Sequence, residues 1–343
     1  MAGMSKSGGL MTVFNGDEDF VLRLRNFVKD KEAFSENTWR QLLSVMRLAH
    51  RWADENGRTF LPMSSQDLRD YLIHLQEKGR ASSTISQHAA MISMLHRNAG
   101  LVAPNSSPEV GRALKKINRT AVVSGERTGQ AVPFRKQDLM AIDEIWQKSP
   151  RLQDLRDLAF LHLAYSTLLR ISELARIRVR DLSRTEDGLF IIDVGYTKTI
   201  VKSSGIIKAL SARSSQRLHE WLESAGLYTN PDAYIFCRIH RSNKPLPSDT
   251  SEFSTRSLEE IFARAWRLAG NDRLIKTNKD RYAGWSGHSA RVGAAQDMTQ
   301  NGFAITEIMH EGTWTKTETL MRYIRNMEAH KGAMMKLMTE KED

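Results

Sequence analysis

Residues 285–326 read WSGHSARVGAAQDMTQNGFAITEIMHEGTWTKTETLMRYIRN. His288 and Arg291 stand three apart, a spacing that puts both on one face of a helix over residues 288–299. Ala294, Ala295 and Met298 give that helix an apolar side, and Gly287 and Gly293 let another backbone come close. Trp314 follows, and Tyr323 sits nine residues further on a short helix. A guanidinium fork matches two phosphate oxygens at once, which an ammonium cannot. Two cations and a phenol brought together point to chemistry on a phosphate. Taken singly, each has a plainer reading. An H-x-x-R pair is more often a surface ion pair, and a lone Trp or Tyr is more often packing.

The whole chain bears on which phosphate. It has 343 residues, enough for two ordinary domains. Fifty Lys and Arg against forty Asp and Glu leave a net charge of +10, shared by the parts on either side of Glu126. That excess fits a polyanionic partner, although surface charge also serves solubility. The single cysteine, Cys237, excludes a disulfide framework and a Cys-based metal site, and fits a reducing cytosol. No apolar run approaches a membrane span, and the start lacks a signal-peptide core. Nucleic acid is therefore favoured over lipid.

Residues 1–16 are Gly/Ser-rich and read as a flexible start. Helical periodicity then predicts five helices, at residues 17–30, from Ser35 or Asn37 to 56, 64–78, from Ser82 or Ser83 to 99, and 110–119. Together they make a helical bundle over 17–120. The polar face of the second carries Arg40, Ser44 and Arg47. That of the fourth carries Ser83, Ser86, Gln87 and His88. Such groups can read base edges in a major groove, Gln being suited to adenine, or simply face water. Residues 121–133, AVVSGERTGQAVP, read as a linker.

The remainder, 134–343, opens with helices over 135–147 and 152–167. In LLRISELARIRVRDL (168–182) the spacing puts Arg170, Glu173 and Ile177 on one side of a further helix. Strands follow at 189–194, 196–201 and 205–209, with Lys198 near the middle turn. Helices return at 211–224 and 254–268. Between them Arg238, Arg241 and Lys244 form a basic loop. After 288–299 come helices over 305–309 and 315–326, the last opening on a possible capping box, Thr315 to Glu318. A Met-rich tail, GAMMKLM, spans 332–338.

RISELARIRVRDL, GYTKT, SGHSARVGAA, GTW and MRYIRN occur in this order. As an ordered set they make the chain, from about residue 20 to 337, resemble the tyrosine site-specific recombinases of the phage integrase superfamily, in their Cre-like branch. The resemblance implies a mainly α fold. An N-terminal helical bundle of the core-binding, SAM-like type is joined to a mostly helical catalytic domain with a small antiparallel β-sheet, the two forming a C-shaped clamp on DNA. It implies that Tyr323 attacks a phosphodiester to give a 3′-phosphotyrosine, while Arg170 and Arg291 hold the non-bridging oxygens. Lys198 protonates the leaving 5′-oxygen, and His288 acts as general acid and base. Trp314 donates its indole N–H to the phosphate, and Glu173 orients the cationic side chains. Cationic neighbours suit a phenol whose free pKa near 10 makes it a poor nucleophile. No metal, ATP or other cofactor is expected.

The same resemblance puts Gln87 and His88 at DNA-contact positions, makes Arg256 a reader of guanine, and turns Lys244 and Arg281 toward the DNA backbone. Ser83 stands where the branch has a basic residue, which leaves the target sequence open. The tail, residues 333–338, matches a helix that docks into a neighbouring protomer. The expected partner is double-stranded DNA with an inverted-repeat site, bound by a homotetramer on two sites. The expected setting is a prokaryotic cytoplasm, at the nucleoid, with a phage or plasmid gene. The rival readings are a type IB topoisomerase, a catalytically silent sequence-specific DNA-binding protein, and an RNA-binding helical protein.

Overall fold

Five amphipathic helices build the first of two compact units, which ends at Thr128; the second begins at Gly129. The computed structural model describes residues 18–126, 129–195, 205–270 and 284–324. The expected flexible start, the strand over 196–201 with Lys198, Arg281 and the Met-rich tail lie outside the described residues.

The helices of the first unit are α1 (Glu18–Lys29), α2 (Glu36–Glu55), α3 (Ser65–Glu77), α4 (Ser82–Asn98) and α5 (Pro108–Val123). Ser35 and Ser64 cap α2 and α3, their hydroxyls accepting from the amides of Thr38 and Asp67 at 3.1 and 3.0 Å. Leu42, Val45, Met46, Ala49 and Trp52 bury one face of α2 against Leu68, Tyr71 and Leu72 of α3 and Ile85, Ala89 and Ile92 of α4. Helix α5 is longer at both ends than its periodicity implied. Pro108 opens it, since a missing N–H costs nothing in the first turn. Its far end enters the stretch that composition marked as linker.

Two buried histidines in α4 are held neutral. His96 accepts the Met63 amide at Nε2 (2.8 Å), so its proton is on Nδ1, which donates to the Ile92 carbonyl. His88 corrects the sequence expectation. It is 6% exposed and its Nδ1 bonds the Tyr71 hydroxyl at 2.9 Å, so it faces the core and not the polar side of the helix. Burial lowers the proton affinity of both rings, aided at His88 by Arg80 and opposed at His96 by the Ile92 carbonyl. The unfolded chain therefore takes up protons first as pH falls below about 6.5. The stability these rings contribute is present above that pH and is lost below it. The melting temperature is expected to fall from pH 7.5 to 5.5, less steeply in His96→Gln. Equal slopes in the two proteins would show that His96 is not part of the cause.

In the second unit, α6 (Lys136–Trp146), α7 (Leu152–Thr167) and α8 (Ile171–Leu174) precede an antiparallel sheet in the order β1 (Leu182–Arg184), β2 (Phe190–Val194), β3 (Ile206–Ala209). Next come α9 (Ala212–Ser224), a hairpin of β4 (Arg238–Ile239) and β5 (Pro245–Leu246), α10 (Thr255–Leu268), α11 (Ser289–Gln300), α12 (Ile305–Gly312) and α13 (Thr317–Ile324). Helix α7 is buried nearly all round, as its weak amphipathicity requires, with α6, α9 and α11 packed on it. Phe134, Phe160, Phe236, Phe262 and Trp285 form an edge-to-face aromatic run through the core.

Three sequence expectations change here. The helix containing Arg170 and Glu173 stops at Leu174, so Ile177 lies beyond it and packs in the core. The chain leaves the helix because its backbone finds partners across the fold: Val179 N bonds Ala233 O at 3.0 Å, and Ile235 N bonds Ile177 O at 3.0 Å. The basic loop is the β4–β5 hairpin. The last helix begins at Thr317, which puts Thr315 outside the capping position.

Helix α11 is fixed on the face that carries Gly293 and Asp297, one turn apart. Asp297 accepts from Arg135 Nε (2.6 Å), the Lys136 amide (2.8 Å) and the Tyr165 hydroxyl (2.5 Å). One turn earlier the chain at Phe134 crosses so closely that a Cβ on Gly293 would lie 1.8 Å from the Phe134 carbonyl oxygen. Only glycine fits there.

Candidate active site

Arg170 is the residue before α8, and Glu173 is the third residue inside it. That spacing lets a carboxylate close on the backbone N–H ahead of the helix. One Glu173 oxygen accepts the Arg170 amide at 2.8 Å and the other accepts its guanidinium at 2.9 Å. Glu173 is buried and Arg170 is half-buried. The acid thus fixes the direction of the arginine.

Arg291 is 2% exposed, although its sequence looks suited to a surface. Its guanidinium donates to the carbonyls of Leu168 and Gly312, the latter at 3.0 Å. These carbonyls stand at the C-terminal ends of α7 and α12, where partial negative charge collects. Leu168 and Thr313 both adopt left-handed backbone, at φ 54° and 53°, rare for residues with side chains. Two strained helix ends therefore turn their carbonyls onto one buried cation. Burial lowers the proton affinity of Arg291, and the charge of Arg170 adds to this; Tyr323 and Glu173 oppose it.

Gly312 serves a second purpose. A Cβ there would lie 2.2 Å from the Trp314 ring, so bare backbone makes room for the indole. The Arg291 guanidinium sits over that ring, 5.0 Å from its centroid. Trp314 is 6% exposed, and its Nε1 has no hydrogen-bond partner among the described residues. A buried donor left unpaired costs about 1–3 kcal/mol, so it marks a place for an acceptor. The Tyr323 ring stands edge-on to Trp314, with centroids 5.5 Å apart. Leu168, Ala294, Ala295, Ile308, Leu320 and Ile324 pack around this group.

The structure thus gathers Arg170, Glu173, Arg291, Trp314 and Tyr323. His288 is the residue just before α11 and is exposed, so the helix starts one residue later than the spacing implied. Three further residues border the site, two of them without a sequence signal of their own. Gln130 and Gln296 both donate to the Tyr323 carbonyl, at 2.7 and 3.0 Å. Lys208 on β3 is buried and donates to the backbone and side-chain oxygens of Glu311. Burial lowers its proton affinity; Glu311 opposes this and Arg291 adds to it. Its inward place in a strand was the one available signal.

The candidate DNA residues fall on both units. Arg40 is exposed and paired with Glu36 at 2.6 Å. Arg47 and Ser83 are exposed, Ser44 and Ser86 half-buried. Gln87 is exposed and donates to Gln41 of α2 at 2.8 Å, so Gln41 belongs to the same surface. Arg241 and Lys244 are exposed in the hairpin turn, and Arg256 is exposed in the first turn of α10.

The model of the phage integrase family matches residues 134–330. The chain is 44% identical over 321 residues to the recombinase cre of Escherichia phage P1, covering 92% of each protein. It is 23% identical to an integrase/recombinase xerD homolog of Selenomonas ruminantium, covering 94% of this chain and 97% of that one. Among solved structures, the Tn1549 transposon integrase in complex with transposon right end DNA aligns over 95% of this chain and 99% of its own. The TM-score is 0.60 at 12% identity.

Proposed function

The chain belongs to the phage integrase family and is a site-specific tyrosine recombinase, an enzyme that cleaves and rejoins DNA strands; on that premise we propose how its residues divide the work. The Tyr323 oxygen attacks a DNA phosphorus. A phosphotyrosine ester forms on the 3′ side, and the bond to the 5′-oxygen breaks. His288 takes the phenolic proton, and Lys198 gives a proton to the departing oxygen. Arg170 and Arg291 hold the non-bridging oxygens as charge builds on them, and the Trp314 N–H is a further donor. A 5′-hydroxyl from the partner DNA then reverses the step. One ester replaces another throughout, so neither ATP nor metal is needed.

The observation that carries this reading is the buried indole N–H of Trp314, unpaired among the described residues, beneath the Arg291 guanidinium and against the Tyr323 ring. A phosphate oxygen satisfies both donors. Glu173 belongs to the reading as the residue that aims Arg170.

The partner we assign is duplex DNA, met in the first unit by Arg40, Ser44, Arg47, Ser83, Ser86 and Gln87. In the second it is met by Arg241, Lys244, Arg256 and Arg281. His88 supports Tyr71 from within. The Tn1549 integrase complex with transposon DNA supports this assignment. The inverted-repeat site, the homotetramer and docking of the tail at 333–338 follow from the family resemblance. So does a phage or plasmid gene acting at the nucleoid, to which the phage source of one relative adds support. Among the described residues, no helix is long and apolar enough to cross a membrane.

Candidate-site DNA carrying a nick beside the cleavage position tests the chemistry. In EDTA, a protein–DNA adduct that survives SDS is expected. An adduct that forms only with added Mg²⁺ would overturn the metal-free mechanism. On a plasmid with two sites, deletion or inversion according to site orientation is expected. Relaxation without exchange would instead favour the topoisomerase reading, which the comparisons do not support.

A further inference from the structure

Tyr323 is held by its backbone as well as by its ring. Its carbonyl accepts two side-chain amides, from Gln130 at 2.7 Å and Gln296 at 3.0 Å. Gln130 is the second residue of the second unit. Gln296 is 6% exposed and lies five residues beyond Arg291 on α11. Its orientation is set from the other end, because Arg135 Nη1 donates to its Oε1 at 3.4 Å. An arginine can only donate, so the amide nitrogen of Gln296 must point the other way, at Tyr323. Arg135 is itself anchored on Asp297.

We infer that Gln296 and Gln130 are positioning residues that fix the Tyr323 backbone against α11, and so set the approach of its hydroxyl to the phosphate held by Arg291. The inference rests on the reading of Tyr323 as nucleophile. Its physical basis is rigidity. Arg291 and Gln296 share one helix, packed on α7 and locked through Asp297. A bond from that helix to the Tyr323 carbonyl leaves only the two side-chain torsions of the tyrosine between a fixed point and the reacting oxygen. A displacement of about 1 Å at a reacting atom can cost on the order of a hundredfold in rate. A carbonyl has two acceptor sites, so one amide still satisfies it when the other is lost. Loss of both removes every side-chain donor it has among the described residues. The two glutamines are therefore expected to act synergistically.

Gln296→Glu provides the test. It keeps the volume of the side chain and an oxygen for Arg135, removes the donor to Tyr323 and sets a carboxylate oxygen against its carbonyl. The full-length protein is compared with Gln296→Glu, Gln130→Ala and the variant combining the two substitutions. Single-turnover cleavage of the nicked site is measured at saturating protein, with DNA affinity and melting temperature alongside. Gln296→Glu is expected to bind DNA like the parent but cleave about tenfold more slowly or worse. The double variant should lose more than the product of the two single losses.

A substrate with sulfur at the 5′-bridging position separates attack from departure, because a thiolate leaves without a proton. The Gln296→Glu defect should persist on it. Recovery on the sulfur substrate would overturn the inference by placing the defect at leaving-group protonation. Parental cleavage rates in all three variants would also overturn it, while an adduct lost in Tyr323→Phe leaves the nucleophile assignment standing. An adduct that survives Tyr323→Phe would instead remove the premise.

Discussion

Tyr323→Phe is expected to abolish the SDS-stable DNA adduct while leaving folding and DNA binding nearly as they were. The substitution removes one oxygen and nothing else. The ring remains edge-on to Trp314, and the carbonyl at 323 remains bonded to Gln130 and Gln296. No change in packing can therefore be blamed for lost activity. The loss should be complete, because no other atom of residue 323 can form an ester with phosphorus. Gel electrophoresis after SDS quenching reads the adduct, and a mobility shift without SDS reads binding. An adduct of the same yield in the variant would reassign the nucleophile.

Arg291 should show the other large effect, split between stability and chemistry. In Arg291→Ala the carbonyls of Leu168 and Gly312 lose a buried donor and the Trp314 face loses its cation. A buried acceptor left without its donor costs about 1–3 kcal/mol, so the melting temperature should fall by several degrees. Arg291→Lys is the more telling variant. An ammonium keeps the charge but is a point donor. It cannot fork to two carbonyls on different helices and still meet a phosphate. Stability should be lost in part, and single-turnover cleavage should fall by about 10²–10³-fold. A Lys variant cleaving within about threefold of the parent, against that scale, would mean that charge alone matters here.

Much of this was legible in residue order. Ser35 and Ser64 announced α2 and α3, and the apolar period placed the core of the first unit. The helix over residues 152–167 was read with the bounds the structure gives it. The ordered motifs that carry Arg170, His288, Arg291, Trp314 and Tyr323 were enough to suggest a family, and the chemistry followed from that resemblance. Other readings failed for identifiable reasons. His88 looked polar and outward, yet Tyr71 offered it a buried partner that no local pattern in α4 reveals. The helix from Arg170 stops early because residues 233–235 compete for its backbone. Residues 289–296 of α11 are all buried. A helix covered on every side has no polar face, so the pairing of His288 with Arg291 on one face described only a spacing.

By itself, then, the sequence determined most of the helical periods and the net positive charge, and its ordered motifs proposed, by resemblance, a set of reacting groups. These are properties of neighbours along the chain, and side-chain chemistry is written residue by residue. Only the tertiary structure decided that Arg291 is a buried cation between two helix ends, that the Trp314 N–H has no partner among the described residues, and that two amides hold Tyr323 by its carbonyl. Those bonds join residues 21, 27, 123 and 193 positions apart. A backbone carbonyl carries no mark in the sequence of which distant donor will reach it. The packing of the helices on α7 makes that choice.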